Sequence, residues 1–326
     1  MERRQFLQTG LFGVAGLFPD VGLVPDIGLA NGICDICNSG GEGFMSDVEQ
    51  TMYEDIFIAA LRGSVDDVRL FVEAGIDVNL QEDLTPYSSI TPIHCAAGWN
   101  PNLEVLQYLI EKGADVNVKS SGLFYDQTPL HYSANYNSNI EVMKCLISQG
   151  ANINVKDHTG ETVLNFAAES GTVEMLKYLI SLGCAINTKN NSGETLLHCA
   201  AGWNSKVDVL GFLISLGFSV NTEDKYGETP LHHAAKFNPN IDVLEYLISQ
   251  GADIRAKDDF EKSVLHHAAS WNPSVDVMKF LVKQGADVNA KNIDGETPLD
   301  RIKNEEEEKR TILREAGGKT SEELLG

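Results

Sequence analysis

The sequence predicts an all-α solenoid, built from helix-turn-helix units joined by hairpin-like fingers. Three observations carry this. Thr91-Pro92-Ile93-His94 recurs as Thr128-Pro129-Leu130-His131 and Thr229-Pro230-Leu231-His232, with looser copies starting at Thr162, Thr195, Ser263 and Thr297; the steps run from 33 to 37 residues. A glycine keeps the same beat, at Gly75, Gly113, Gly150, Gly183, Gly217, Gly251 and Gly285. Between the two markers, apolar residues such as Val105, Leu106, Leu109 and Ile110 fall at helical spacing. Two phased signals over most of the chain define a repeat array.

Each element of the unit has a physical reason. Proline at the second motif position suits the first turn of a helix, where its missing N–H is no loss. Ala96-Ala97 and their counterparts give that helix a thin face for close approach. A second helix, Leu103 to Lys112, is stopped by Gly113 in the left-handed conformation. The segment that follows, as at Lys225-Tyr226-Gly227-Glu228, is extended with a tight turn. One such unit cannot bury its apolar face alone, whereas stacked neighbours can.

Composition narrows the function classes. The chain has 326 residues and 43% apolar content, enough for a large core. Its formal net charge of −22 opposes nucleic-acid binding, which needs a basic footprint. No apolar run approaches the ~20 residues that span a bilayer, so no stable membrane span is expected. Six cysteines are too few for a disulfide scaffold.

The 33-residue period and the Thr-Pro-Leu-His motifs resemble the ankyrin-repeat family. The resemblance covers residues 49–318 and implies a curved stack of about eight units, with a concave face and fingers that bind protein partners. The first unit, Tyr53 to Asn79, is a divergent cap without the motif; the last, Ala290 to Gly318, carries Glu305 to Glu308, Lys309 and Arg310 as a polar outer face. Residues 319–326 form a tail.

Five repeats depart from the pattern. They are longer by one residue between their helices and carry Asn100, Asn137, Asn204, Asn238 or Asn272, followed by Pro or Ser, where the unit Val155–Asn187 has Gly171. Asparagine tolerates left-handed geometry, so these turns are expected to be remade around it. An aromatic precedes each Asn: Trp99, Tyr136, Trp203, Phe237 and Trp271. All three tryptophans of the chain sit at this position, and the short unit has Ser170 there. The rings are either partner-binding anchors or packing pieces over their own turn or the next unit. The first two fingers are longer than the others and carry Tyr87, Phe124 and Tyr125, which either contact a partner or cover a neighbouring finger.

No chemistry stands out. His94, His131, His198, His232 and His266 occupy the motif, and the resemblance implies that they tie units together. His233 and His267 are additional but lie one unit apart. Helices pack ~8–10 Å apart and zinc ligands lie ~2.0–2.3 Å from the ion, so one histidine per unit cannot converge on a metal. Cys95, Cys145, Cys184 and Cys199 are expected to be small buried residues. No Gly-rich phosphate loop or Gly-x-Ser-x-Gly occurs. No enzyme activity, cofactor or metal is expected.

Residues 1–30 resemble a twin-arginine export signal through Arg3-Arg4 before Phe6-Leu7, implying a bacterial, periplasmic or secreted protein. The alternative is an ordinary extension with Met45 as the start and a cytoplasmic location. Residues 31–48 are a Gly-rich linker in which Cys34 and Cys37 could form a local disulfide. The expected function is a scaffold that binds an unknown protein through its concave face and fingers, with a basic partner surface matching the negative charge. The alternative is an inhibitor or immunity-like protein that blocks a partner enzyme.

Overall fold

The computed structural model describes residues 55–85, 88–122, 126–303 and 306–325. Arg3, Arg4, Cys34, Cys37, Tyr87, Phe124 and Tyr125 lie outside the described residues.

Eight units follow one another. The first is α1 (Ile56–Arg62) and α2 (Val65–Glu73). Strands β1 (Glu82–Thr85) and β2 (Ser88–Ile90) precede α3 (Pro92–Trp99) and α4 (Leu103–Glu111); β3 (Ser121–Gly122) precedes α5 (Pro129–Tyr136) and α6 (Ile140–Ser148). Then come α7 (Val163–Glu169) with α8 (Val173–Ser181), α9 (Leu196–Trp203) with α10 (Val207–Ser215), α11 (Pro230–Phe237) with α12 (Ile241–Ser249), and α13 (Val264–Trp271) with α14 (Val275–Lys283). A 3-10 turn (Pro298–Arg301) and α15 (Glu307–Glu315) close the series. First helices pack against first helices from α1 through α13 to the 3-10 turn. The stack is an all-α repeat solenoid, and Leu130, Leu164 and Leu231 occupy matching buried places in its core.

The Thr-Pro-Leu-His motif is a capping box. In the first full repeat, the Thr91 N–H donates to His94 Nδ1 at 3.2 Å and the Thr91 hydroxyl lies 2.8 Å from the same nitrogen. Where the motif differs, Asn165 and Asp300 supply the acceptor instead. The alanine pairs that follow, such as Ala234-Ala235 and Ala268-Ala269, are fully buried and let first helices approach closely. Second helices bury one apolar stripe each: Val105, Leu106 and Leu109 on α4, Val243, Leu244 and Leu247 on α12. Each fully buried Leu or Val of this kind contributes about 1.5–3 kcal/mol. The glycines that end these helices, Gly113 among them, adopt φ from 84° to 96°, where a side chain would be strained.

Two expectations take definite form here. The two enlarged fingers pair with each other: β1 runs antiparallel to β2, and β2 to β3, with Ser88 opposite Gly122 and Ser89 opposite Ser121. The turn asparagines are not left-handed. Asn100, Asn137, Asn204, Asn238 and Asn272 all have extended backbone, with φ from −104° to −73° and ψ from 120° to 128°. They are placed by a side-chain role that the extended backbone makes possible.

Candidate functional site

That role is a ladder. The Asn100 side-chain amide donates to Ala60 O and Gly63 O of the preceding unit, Asn137 to Ala97 O and Asn100 O, and Asn204 to Ala168 O and Gly171 O. Asn238 donates to Ala201 O and Asn204 O, and Asn272 to Ala235 O and Asn238 O. Each Oδ1 accepts the N–H two residues on, as Asn272 does from Ser274 at 2.8 Å. All five asparagines are buried. Carbonyls that a helix end leaves without partners are thus satisfied by the next unit.

The aromatics ride on this ladder. Trp99 stacks on Tyr136, centroids 4.9 Å apart at 23°, and Trp203 on Phe237, 4.8 Å apart at 18°. Each pair bridges adjacent units, so the rings pack against the neighbour, with Tyr136 still 47% exposed. Between the two pairs stands Ser170, whose hydroxyl donates to Asn135 Oδ1 at 2.8 Å.

Phe237 and Trp271 lead into a groove of about 290 Å³, walled by first helices α11 and α13 and by the fingers before them. Tyr226 and Phe260 are on its rim, and Glu194, Asp224, Glu228, Asp258, His233, His267 and Lys236 line it. The finger tips that form the wall are tied in series by backbone bonds: Asn191 N to Thr159 O, Lys225 N to Ser192 O, Asp259 N to Tyr226 O and Ile293 N to Phe260 O, all 2.9–3.0 Å. This fixes the wall in place before any ligand arrives, which lowers the ordering cost of binding. A wider depression of about 640 Å³ lies between α4 and α6 on the row of second helices, lined by Glu111, Glu141 and Lys144, where Lys144 pairs with Glu141 of its own helix.

The fingers set the carboxylates of the groove. Asp224 Oδ1 accepts the N–H groups of Tyr226 and Glu228, and Asp258 Oδ1 those of Phe260 and Lys262, so each finger turns around its own aspartate. The second oxygen of each then faces a histidine: Asp224 Oδ2 is 3.2 Å from His233 Nε2, and Asp258 Oδ2 is 2.9 Å from His267 Nε2. Glu228 lies between the two histidines, Oε2 3.4 Å from His233 Nε2 and Oε1 3.9 Å from His267 Nδ1. Lys236 Nζ donates to both Glu228 oxygens, at 3.0 and 3.2 Å. Glu194 Oε1 is 4.0 Å from His233 Nε2. Burial works against charge on Glu228, but His267, His233 and Lys236 together hold its carboxyl far below the usual range. Asp258 is also buried and is likewise lowered, by the His267 hydrogen bond and charge and by the finger N–H groups.

The motif histidines behave differently. Burial lowers His94 to about 4, and its Nδ1 accepts from Thr91 N–H, so the proton is on Nε2, which faces Gln127 O at 3.2 Å. His198 and His266 reach Glu228 O and Glu296 O in the same way, both at 3.1 Å. His131 and His232 stand edge-on to the rings of Phe166 and His267 in the next unit. Cys95, Cys184 and Cys199 are buried and Cys145 is half-buried; all four are free thiols.

The histidines do not meet one another at an ion. Instead, one histidine meets carboxylates from two fingers, a combination that the spacing of histidines alone does not register. The signal in the sequence is Asp224 nine residues before His233, repeated as Asp258 nine before His267, with Glu194 and Glu228 at matching finger positions. His233 with Asp224 and Glu194, and His267 with Asp258 and Glu228, are both arranged closely enough for a metal ion.

Against known proteins, the family model for ankyrin repeats (3 copies) matches residues 56–157, 130–224, 164–258 and 203–292. Alpha-latrocrustotoxin-Lt1a of Latrodectus tredecimguttatus is similar over one stretch, with 46% identity over 65 residues. That stretch is 20% of this chain and 4% of the toxin.

Proposed function

The chain belongs to the ankyrin-repeat family, and from that premise we propose that it is a non-catalytic scaffold whose first-helix face and fingers hold a protein partner. The observation that carries this reading is the groove: buried carboxylates at its floor, aromatic rims, and walls fixed by finger-to-finger backbone bonds. Rigid aromatic surface beside acidic groups suits a partner that presents basic side chains. Phe260 and Ile293, exposed on successive finger tips, extend the apolar contact beyond the rim. The net charge of −22 would speed the encounter with such a partner at low salt.

The test is affinity capture on the full chain at low and high salt, with wild type compared to Phe260→Ser/Ile293→Ser. The expected result is a discrete protein, retained at low salt and lost from the double variant while its melting temperature stays unchanged. Equal capture by both chains would overturn the finger-face reading. We propose separately, on Arg3 and Arg4 alone, that the chain is exported. Arg3→Lys/Arg4→Lys should then leave precursor in the cytoplasm, and unaltered distribution would refute export.

A further inference from the structure

We propose that the floor of the groove is a binding site for one divalent transition-metal ion of the zinc class, held by His233 Nε2, Asp224 Oδ2 and Glu194 Oε1, with Glu228 Oε2 in reach. Binding of the ion requires no partner.

Three independent features point to it. The first is spacing. Two ligand atoms bound to one zinc-sized ion at ~2.0–2.2 Å each lie about 3–3.5 Å apart. Asp224 Oδ2 and Glu228 Oε2 are 3.2 and 3.4 Å from His233 Nε2, and Glu194 Oε1 at 4.0 Å needs only a small side-chain adjustment. The four side chains come from three different segments of two successive units, so the stack itself assembles them.

The second feature is a histidine nitrogen with nothing to bind. His267 is 4% exposed, and its Nδ1 has no hydrogen-bond partner among the described residues. Its other nitrogen lies 2.9 Å from Asp258 Oδ2, and Nδ1 is 3.9 Å from Glu228 Oε1, too far for a hydrogen bond. His267, Asp258 and Glu228 are themselves arranged closely enough for a metal ion, so a second cluster of the same donor types adjoins the first.

The third is charge. Glu194, Asp224, Glu228 and Asp258 bring four negative charges into a buried space, and Lys236 returns one positive charge. Burying an unbalanced charge is costly. One divalent ion supplies two of the missing three charges. Imidazole with carboxylate donors favours zinc or manganese over calcium or magnesium, and the groove provides an entry path.

The experiment is isothermal titration of Zn²⁺ into the full, chelator-stripped chain, with the melting temperature followed in parallel. Two variants borrow residues that the chain uses at equivalent positions: Asp224→Asn, because Asn190 occupies that finger position, and His233→Phe, because Phe166 occupies that helix position. Both should therefore fold. Wild type should bind one zinc ion and melt higher with it. Each variant should lose at least tenfold in affinity and most of the melting shift, whereas Asp157→Asn, in a finger with no paired histidine, should bind like wild type. Absence of binding by the wild-type chain would overturn the site. Binding that survives Asp224→Asn and His233→Phe but disappears in Cys34→Ser/Cys37→Ser would overturn it equally.

Discussion

The side-chain amide of Asn272 donates to the main-chain carbonyl of Asn238, the residue at its own place in the preceding unit, at 2.9 Å. The same amide reaches Ala235 O at 3.0 Å, and Oδ1 takes the Ser274 N–H. Asn272→Ala removes three bonds and leaves buried carbonyls without a donor. Such groups cost about 1–3 kcal/mol each when unsatisfied, so the variant should lose about 3 kcal/mol or more. Urea unfolding measures this; a loss under about 1 kcal/mol would show that water replaces the amide.

The stack was legible in the sequence because its period, its glycines and its alanine pairs are determined by backbone geometry that every unit shares. The ladder was not. Asn100 to Asn272 were visible as an insertion, but local propensity suggests a left-handed turn, whereas the partner that decides their conformation belongs to another unit. The groove was half legible. His233 and His267 were conspicuous, yet their carboxylates lie on fingers, and only the recurrent nine-residue spacing to Asp224 and Asp258 could have joined them.

The aromatic position can be tested by stability. Trp203 is stacked on Phe237 and half-buried, so truncation removes a bridge between units. Aromatic-to-alanine changes in cores cost about 3–5 kcal/mol, and partial exposure should bring Trp203→Ala to about 2 kcal/mol. A melting temperature equal to wild type would assign the ring to contact with a partner alone.

Lys309 reaches the equivalent carbonyl in the last unit, from three residues past the ladder position, which Glu306 occupies. It is 3% exposed, and its ammonium donates to Ala269 O at 3.4 Å and to Glu306 Oε1 at 2.6 Å. Neighbouring Glu307 and Glu308 face solvent, as an outer cap surface requires. Lys309→Met keeps the apolar stem and deletes the donor. Amide hydrogen exchange in α15 should accelerate roughly tenfold or more, equivalent to about 1.4 kcal/mol or above. Unchanged exchange would mean that packing of Leu313 alone secures the helix.

Glu261 occupies a finger position where other units have Gly160, Gly193, Gly227 and Gly295, and it has φ 57°. A left-handed side-chain residue costs about 1–2 kcal/mol, partly offset because glycine is freer in the unfolded chain. Its ion pair to Lys257 at 3.5 Å is exposed and contributes little. Glu261→Gly should therefore gain up to about 1 kcal/mol, seen as a raised urea midpoint. A lowered midpoint would show that the side chain matters more than the backbone.

Acid should weaken the seam between the second and third units. His94 is lowered by burial to about 4 in the folded chain, against 6.5 in the unfolded one. The unfolded state thus binds the proton more readily, so the stabilisation is complete above pH 6.5 and is lost as pH falls toward 4. At pH 5 the loss is about 2 kcal/mol. His94→Asn keeps an acceptor for Thr91, as Asn165 does for Thr162. The stability difference between wild type and variant should shift by about that amount, in favour of the variant, from pH 7 to pH 5. A constant difference would contradict the assigned neutral imidazole.

Gly171 has no side chain to reach back to the unit before it, and Ser170 offers a hydroxyl where the five other full repeats offer a ring. In a linear array each joint is independent of distant ones. The chain therefore has a built-in fault line between Tyr136 and Val163: under force, heat or protease it should part there first, into a front block and a rear block. The groove lies wholly within the rear block, so the acidic floor could survive the loss of everything ahead of it.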